Sequence, residues 1–184
     1  MEHTGHTTTL LVIDVQESVL AGCADVEGVV GRINELARRA RSTGSPVVYL
    51  QHQDPGDPEL TAGSPGWQLA ADLERLGEDP VIAKSYRDGF AQTALDATLA
   101  ASGTRRVAVT GAHSDYCVQT TALSALAHGY DLTVASDAHT AQAAELPEAK
   151  IPAATVVAFI NDRFAGLRYP GRVIEVLPTA KVTF

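Results

Sequence analysis

Three residues of this sequence, Asp14, Lys84 and Cys117, could together carry out hydrolytic chemistry. A free cysteine thiol has a pKa of about 8.5, and a helix N-terminus or a nearby cation favours its reactive thiolate form. Cys117 falls in the first turn of a predicted helix, just after a tight turn that opens at Gly111. A lysine beside it would supply the cation, and an aspartate could take the thiol proton and return it to a leaving group. Backbone amides of the same turn could stabilise an oxyanion, so the combination is typical of a cysteine hydrolase.

Each of these residues has a simpler interpretation when it is considered alone. A lone cysteine is most often a small buried apolar residue, and we interpret Cys23 in this way. An aspartate at the end of a strand often turns the chain, and a lysine is usually a solvated charge. Position favours the catalytic interpretation, because Asp14 ends the first predicted strand, Lys84 ends the third and Cys117 follows the fourth.

The elements that must position these residues alternate between apolar strands and amphipathic helices. Strands are predicted at residues 9–14, 46–51, 80–84, 106–110, 131–136 and 172–177, the last one at a sheet edge. Helices are predicted from the N-cap Asp25 to a stop at Gly44, and at residues 67–76, 91–101, 115–128 and 152–165, whereas residues 52–66 form a long loop. Strands that are apolar along their whole length are typical of a parallel sheet covered on both faces. Ligands bind such sheets at the carboxyl ends of the strands, where all three residues can meet.

Composition disfavours several classes of function. The 14 Lys and Arg against 22 Asp and Glu give a net charge of -8, which makes nucleic acid and anionic membranes poor partners. No apolar run approaches the roughly 20 residues that cross a bilayer, and residues 1–9 lack the regions of a signal peptide. We therefore expect a cytoplasmic protein. Because the sequence has no repeat, linker or low-complexity tract, residues 1–184 are predicted to form one domain, of which residues 1–8 are flexible.

Several segments resemble the signature blocks of the isochorismatase-like cysteine hydrolase superfamily. Three of them contain Asp14, Lys84 or Cys117, namely residues 11–16 (LVIDVQ), 81–84 (VIAK) and 110–118 (TGAHSDYCV), and residues 90–93 (FAQT) form a fourth. Residues 63–67 (GSPGW), 129–130 (GY) and 137–138 (DA) are also similar, so the resemblance covers residues 9 to about 140 and is weak in the tail.

The resemblance implies a Rossmann-like three-layer α/β/α sandwich with a mostly parallel sheet of about six strands. It also implies that the three residues form a catalytic triad. The family pattern places a cis peptide bond at Ala112–His113 and an oxyanion hole at the amides of His113 and Cys117. Ser114 stands where the family usually has threonine, and a histidine after the cis bond is unusual. The expected reaction, that of the amidase branch, cleaves a C–N bond of a small amide, lactam or ureide through a thioester, without a cofactor.

Some residues near the predicted rim are candidates for substrate contact, although each could also pack in the core. They are Gln16, Trp67, Tyr86, Phe90, His113 and Tyr116. Nicotinamidases of this superfamily bind a metal through an Asp-x-His segment and a further histidine. The matching segment here, residues 51–54 (QHQD), is followed by no second histidine in the loop, so we interpret His52 as a pocket or hydrogen-bonding residue. His3 and His6 are likewise not expected to be ligands, and no metal site is predicted.

Two other functions remain open. Isochorismatase proper cleaves a vinyl ether without a thiol nucleophile on much the same scaffold, and a non-catalytic binding or scaffold protein could share the fold. A nucleotide-binding module is disfavoured, because no GxGxxG or Walker pattern follows Gly111. Hydrolases of this family commonly form dimers or larger rings, and the helix after Pro152 is apolar on nearly every side. We therefore expect a homo-oligomer that acts on a small amide and water.

Overall fold

The computed structural model of the chain describes residues 7–184. Its strands are β1 (Thr7–Ile13), β2 (Val47–His52), β3 (Val81–Lys84), β4 (Thr104–Ala112), β5 (Asp131–Thr140), β6 (Ala144–Leu146), β7 (Ala149–Ile151) and β8 (Ile174–Leu177). Its helices are α1 (Glu17–Leu20), α2 (Val26–Ser42), α3 (Leu95–Ala101), α4 (Gln119–Ala127) and α5 (Ala153–Ala165). The residues Ser114–Val118 form one wide helical turn directly before α4, and Thr179–Lys181 form a short 3-10 turn.

Six of the strands form one sheet that is covered by helices on both faces. Their order is β3-β2-β1-β4-β5-β8, and every neighbouring pair is parallel. In β1, Leu10 and Val12 face a core shared with α2, whereas Leu11 and Ile13 face a second core shared with α3, α4 and α5. Because both faces are buried, the strands need apolar side chains at every position. The predicted three-layer α/β/α arrangement is confirmed, and β8 is an edge strand as expected.

The predicted helix at residues 67–76 is wrong. This segment has an irregular backbone with only isolated turns, and several of its polar groups bond to other parts of the chain. The amide of Ala70 donates to the carbonyl of Val15 at 2.9 Å, and the side chain of Asn34 in α2 donates to the carbonyl of Asp72 at 2.8 Å. The apolar spacing that resembled a helix therefore reflects packing of an extended segment against α2.

Several element boundaries also differ from the prediction. Residues 91–94 form turns, so α3 begins only at Leu95. Asp25 precedes α2, but it has a left-handed φ of 48° and its side chain bonds to Arg32 instead of capping the helix. β5 extends well beyond residue 136, and α1 and the antiparallel β6–β7 pair have no counterpart in the sequence prediction.

The N-terminal segment expected to be flexible, residues 1–8, lies mostly outside the described residues. Residues 1–6, including His3 and His6, are outside them. Thr7 and Thr8 already belong to β1, and Thr8 is buried, so the prediction is wrong for these two residues. Within the described part of the chain, no helix combines the length and the apolar character needed to cross a membrane.

The strand order determines where a ligand can bind. β2 lies on one side of β1 and β4 lies on the other, so a crevice opens beyond the carboxyl ends of β1 and β4. Asp14 follows β1 and the wide turn follows β4 at this crevice, whereas Lys84 ends β3, two strands away from β1. Neighbouring strands are about 4.8 Å apart, so a long lysine side chain can cross the end of β2 to reach β1.

Candidate active site

Lys84 lies at the centre of a buried group of polar side chains at the carboxyl ends of the strands. Its Nζ is 2.7 Å from Oδ2 of Asp14 and 3.3 Å from Sγ of Cys117. It also donates to the carbonyl of Tyr86 at 3.1 Å and lies 3.3 Å from Nδ1 of His52. The Lys84 side chain has no exposed surface, and that of Asp14 is 1% exposed. Charges this deeply buried persist only when each compensates the other. The structure therefore brings together the three residues of the expected triad.

The backbone around Asp14 depends on a close approach of β4 to β1. Asp14 has a positive φ of 51°, and its amide donates to the carbonyl of Leu50 at 3.0 Å. Gly111 in β4 has a φ of 111°, and a Cβ atom there would collide with the backbone of Ile13. Glycine is therefore required at this position. Oδ1 of Asp14 is buried and accepts no hydrogen bond from residues 7–184, so it remains available to accept a proton.

Cys117 lies in the wide turn Ser114–Val118. The peptide bond Ala112–His113 that precedes the turn is cis, at the position that the resemblance implies. The carbonyl of His113 accepts a hydrogen bond from the amide of Val118 at 3.2 Å, five residues later, which widens the turn. Such wide turns are frequent at functional sites. The turn continues directly into α4, so Cys117 is in the first turn of a helical segment, as predicted.

The resting Cys117 side chain is not the thiolate that the sequence prediction favoured. Burial, and secondly the Asp14 carboxylate, raise the pKa of the thiol to about 12, although Lys84 acts in the opposite direction. Since burial outweighs the nearby cation, the thiol keeps its proton at neutral pH, and a base must remove it as sulfur reacts. Cys23 is partly exposed rather than buried, and its thiol donates to the carbonyl of Val19 at 3.4 Å.

His52 ends β2 next to Lys84. Burial and the Lys84 charge lower the pKa of His52, so its imidazole is neutral at neutral pH. Because an ammonium group only donates, Nδ1 of His52 accepts and its ring proton is on Nε2. His52 thus has the hydrogen-bonding position expected of it. No three His, Cys, Asp or Glu side chains in residues 7–184 cluster closely enough to hold a metal ion.

A cavity of about 950 Å³ opens at this buried group, and Asp14, His52 and Cys117 all line it. Two of the predicted substrate contacts, His113 and Tyr116, also lie on its wall. Three further carboxylates and one guanidinium group line the cavity, and no sequence motif identified them. They are Glu17, Asp57, Glu59 and Arg87. In the sequence, Asp57 and Glu59 were indicated only by their position in the long loop predicted at residues 52–66.

The aromatic wall of the cavity is held by two contacts. Nε2 of His113 lies 2.7 Å from the carbonyl oxygen of Val19, and since a carbonyl only accepts, Nε2 must carry the ring proton. The guanidinium group of Arg87 lies 4.0 Å from the ring centroid of Tyr116, a cation–π contact. The tyrosine side of the wall is thus already paired with a positive charge.

The other four predicted substrate contacts do not line this cavity. Gln16 is fully buried, and its side-chain amide donates to the carbonyl of Trp67 at 2.8 Å, so it fastens the loop to the sheet. The Trp67 side chain is partly buried outside the cavity lining. Tyr86 is 51% exposed, and only its carbonyl contacts Lys84. Phe90 packs in the core, where its ring stacks on another aromatic ring at 4.4 Å.

A second polar chain adjoins the wide turn and has no counterpart in the sequence prediction. Oγ of Ser114 is 2.7 Å from Nδ1 of His139, and Nε2 of His139 is 3.0 Å from Oδ1 of Asn161. The Asn161 amide group donates to the carbonyl of Ser136 at 2.8 Å, which fixes its orientation. Because Oδ1 accepts, the His139 proton is on Nε2, and the Ser114 hydroxyl donates to Nδ1. Burial lowers the pKa of His139, so this chain is neutral.

The chain is similar to several known proteins. The family model named Isochorismatase domain matches residues 8–161. A streptothricin hydrolase from Streptomyces noursei is 35% identical over 174 residues, which are 93% of this chain but only 62% of the length of that relative. The structure of an isochorismatase from Pseudomonas putida KT2440 has a TM-score of 0.83 at 28% identity, over 95% of this chain and 89% of that one. An N-carbamoylsarcosine amidase from Thermoplasma acidophilum has a TM-score of 0.74 at 25% identity, over 96% and 98% of the two chains.

Proposed function

The chain belongs to the isochorismatase family of hydrolases, and we propose that it cleaves the C–N bond of a small amide, lactam or ureide through a thioester on Cys117. The observation that carries this proposal is the contact between the Cys117 thiol and the buried Lys84–Asp14 pair at the wall of a cavity. A thiol, a carboxylate and an ammonium group in this arrangement supply a nucleophile, a proton acceptor and a compensating charge. The naming of one similar protein as an amidase supports an amide as the group that is cleaved.

The first half of the proposed reaction transfers the acyl group to sulfur. As Asp14 takes the thiol proton, sulfur forms a C–S bond with the carbonyl carbon, and the carbonyl oxygen becomes negative. The amides of His113 and Cys117 would stabilise this oxygen. In support, the His113 amide donates to no acceptor among residues 7–184. The C–N bond then breaks, and the proton held by Asp14 passes to the departing nitrogen, which leaves as an amine or ammonia.

The second half hydrolyses the thioester. Asp14 takes a proton from water as the water oxygen attacks the carbonyl carbon. The C–S bond then breaks, the carboxylic acid leaves, and Asp14 returns its proton to sulfur. Lys84 stays charged in both halves, where it balances the carboxylate and stabilises negative sulfur as it forms. Each step uses only side chains and backbone amides of this chain, and water.

The proposal is tested by screening small amides, lactams, ureides and carbamoyl compounds for released ammonia or amine. With an active compound in hand, mass spectrometry of the quenched enzyme should detect the acyl group on the peptide that contains Cys117. Cys23→Ser is the matched control and should form the same adduct at the same rate. Turnover without any adduct, undiminished when Cys117 is alkylated, would contradict the thioester and indicate direct attack of water on the amide.

We also propose a homo-oligomer in which α5 lies at the subunit interface. α5 buries Val156, Ile160 and Phe164 against the sheet, yet Phe159 on its other side remains 59% exposed. Ala154 and Ala158 of the same helix are also exposed, and contiguous exposed apolar surface often marks contacts with another chain. Light scattering should find a dimer or larger species, and Phe159→Asp should shift it towards monomer. Leu146→Asp, at a residue that is 54% exposed on β6, is the control. A wild-type monomer at micromolar concentration would contradict the proposal.

A further inference from the structure

We propose that the substrate carries a positively charged amine or guanidinium group beside the amide that is cleaved, and that Glu17, Asp57 and Glu59 recognise it. This inference rests on the proposed amide hydrolysis and adds the class of substrate. It follows from the carboxylates on the cavity wall, from their lack of a neighbouring cation and from a second acidic cavity beside the first.

The wall of the cavity has an excess of negative charge. Besides Asp14, which is paired with Lys84, three carboxylates line it, and among residues 7–184 Arg87 is the only lining side chain with a permanent positive charge. His52 does not offset the excess, because its burial and the neighbouring Lys84 charge lower its pKa. A cavity with walls of one sign concentrates ligands of the opposite sign. An anionic substrate would meet net repulsion here.

Two of the three carboxylates accept hydrogen bonds from backbone amides. Within residues 7–184, none of the three lies within 4.0 Å of a lysine, arginine or histidine nitrogen. Glu17 accepts the amide of Ala71 at 2.9 Å, and Asp57 accepts the amide of Glu59 at 2.9 Å. Glu59 itself lies against Gly66, where a Cβ atom would be 2.8 Å from Oε2. Carboxylates that lack a cation, two of them oriented by backbone amides, can bind a charged ligand at little cost in reorganisation.

The positive groups nearby are already engaged. Arg87 lies over the ring of Tyr116, and Lys84 is paired with Asp14, so neither is placed to neutralise the three carboxylates. A separate feature marks the cavity as a ligand site, since the almost fully buried Asp14 carboxylate lines it with one oxygen that accepts no hydrogen bond from the described residues.

A second cavity of about 860 Å³ shares Glu17 and Ala21 of its lining with the first. Its lining includes two more carboxylates, those of Glu27 and Asp72, and no basic side chain from residues 7–184. A substrate longer than a simple amide could therefore extend from Cys117 past Glu17 and remain among negative charges.

The first arm of the test measures the charge of the cavity without a substrate. In a Cys23→Ser background, the rates at which Cys117 reacts with aminoethyl and sulfonatoethyl methanethiosulfonate are compared, each divided by the rate for free mercaptoethanol. The cationic reagent should be favoured by at least about tenfold, and the preference should shrink as salt is added. Glu17→Gln combined with Glu59→Gln should remove most of it, whereas Glu78→Gln, at an exposed residue outside both cavities, should not. Equal rates, or a preference for the anion, would overturn the inference.

The second arm measures turnover of three amides of similar length: aminohexanamide, heptanamide and adipamic acid. We expect ammonia release to be fastest for the cationic amide, slower for the neutral one and slowest for the anionic one, with the difference mainly in KM. Equal Cys117-dependent turnover of the cationic and neutral amides would reject the inference and leave the proposed function intact. If none of the three amides is hydrolysed, the result counts against the amidase proposal. The ratio of the Cys117 reaction rates with the cationic and anionic methanethiosulfonates would still decide the charge of the site.

Discussion

Two polar chains meet the wide turn Ser114–Val118, and they are built from comparable groups. The first, here called the cysteine chain, joins Cys117 to Lys84 and Asp14. The second, the serine chain, joins Ser114 to His139 and Asn161. Each contains a potential nucleophile, a nitrogen group and an oxygen acceptor. Only the first lies on the wall of the large cavity, whereas Ser114 has no exposed surface.

The difference shows that residue type alone does not make a reactive site. The groups must also be accessible from a cavity and must include a polar atom that is free to accept a proton. In the serine chain every polar atom described above has a partner and all groups are neutral, so the chain can only hold its position. In the cysteine chain burial keeps the thiol protonated, and Asp14 keeps a free oxygen beside it. We therefore assign chemistry to the first chain and positioning of the turn to the second.

The largest expected effect is the loss of the nucleophile. Cys117→Ala should lower turnover by at least about a thousandfold, because removing a nucleophile leaves only binding and oxyanion stabilisation. Ser114→Ala should lower it by no more than about tenfold, since its hydroxyl only positions the turn. Steady-state rates and circular dichroism of both variants provide the check. Equal losses in the two variants would remove the distinction between the chains.

Next in size is the effect of the charged pair. Lys84→Met should lower the acylation rate by at least about a hundredfold and raise the pKa of Cys117 still further. Asp14→Asn should be as damaging to turnover, yet it should lower the thiol pKa, because the carboxylate now raises it. Alkylation of Cys117 at a fixed pH below about 12 should thus slow in the first variant and quicken in the second.

The double variant Asp14→Asn with Lys84→Met should be little worse than either single one, because groups that act as a unit are strongly non-additive. Lys150→Met, at an exposed lysine, is the control and should change activity and stability by less than about 0.5 kcal/mol. An unshifted alkylation profile in Lys84→Met would exclude Lys84 from the reacting group.

A smaller effect is expected on stability from the serine chain. His139→Ala would leave the Ser114 hydroxyl and the Asn161 amide oxygen without partners in a buried space, at a cost of about 2 kcal/mol in the free energy of unfolding. Urea denaturation measures it. His128→Ala, at a histidine whose side chain is 39% exposed, should cost less. A His139 variant as stable as the wild type would show that the chain does not hold the turn.

The smallest effect concerns pH. The pKa values of His52 and His139 are lowered in the folded chain, so below pH about 6.5 the unfolded chain binds protons that the folded chain does not. Stability should therefore fall with falling pH from about 6.5 downwards, by up to about 1.4 kcal/mol per pH unit for each histidine. His139→Gln should reduce this slope, and urea titrations over a pH series would show it. An unchanged slope would mean that His139 is not a neutral buried group.

Sequence reasoning located the cysteine chain because its members follow apolar strands and fall within recognisable blocks. The serine chain escaped it, because Ser114, His139 and Asn161 are far apart in the sequence and share no motif, and only the fold brings them together. The segment at residues 67–76 misled it, since apolar spacing does not reveal that its backbone bonds to Val15, after β1, and to Asn34 in α2. The protonation of Cys117 also depends on burial, which a sequence motif does not report.

The surroundings of Lys84 have a consequence for how the ammonium group behaves during turnover. It has four close neighbours, Asp14, Tyr86, Cys117 and His52, but only three N–H bonds to distribute among them. One neighbour is always left without a proton to share, and the uncharged thiol is the weakest competitor while sulfur is at rest. Once sulfur becomes negative it competes better, and a rotation about the last carbon–nitrogen bond can redirect an N–H towards it. Rotation of the ammonium group can thus redirect its N–H bonds as negative charge develops on sulfur, without any displacement of the nitrogen atom.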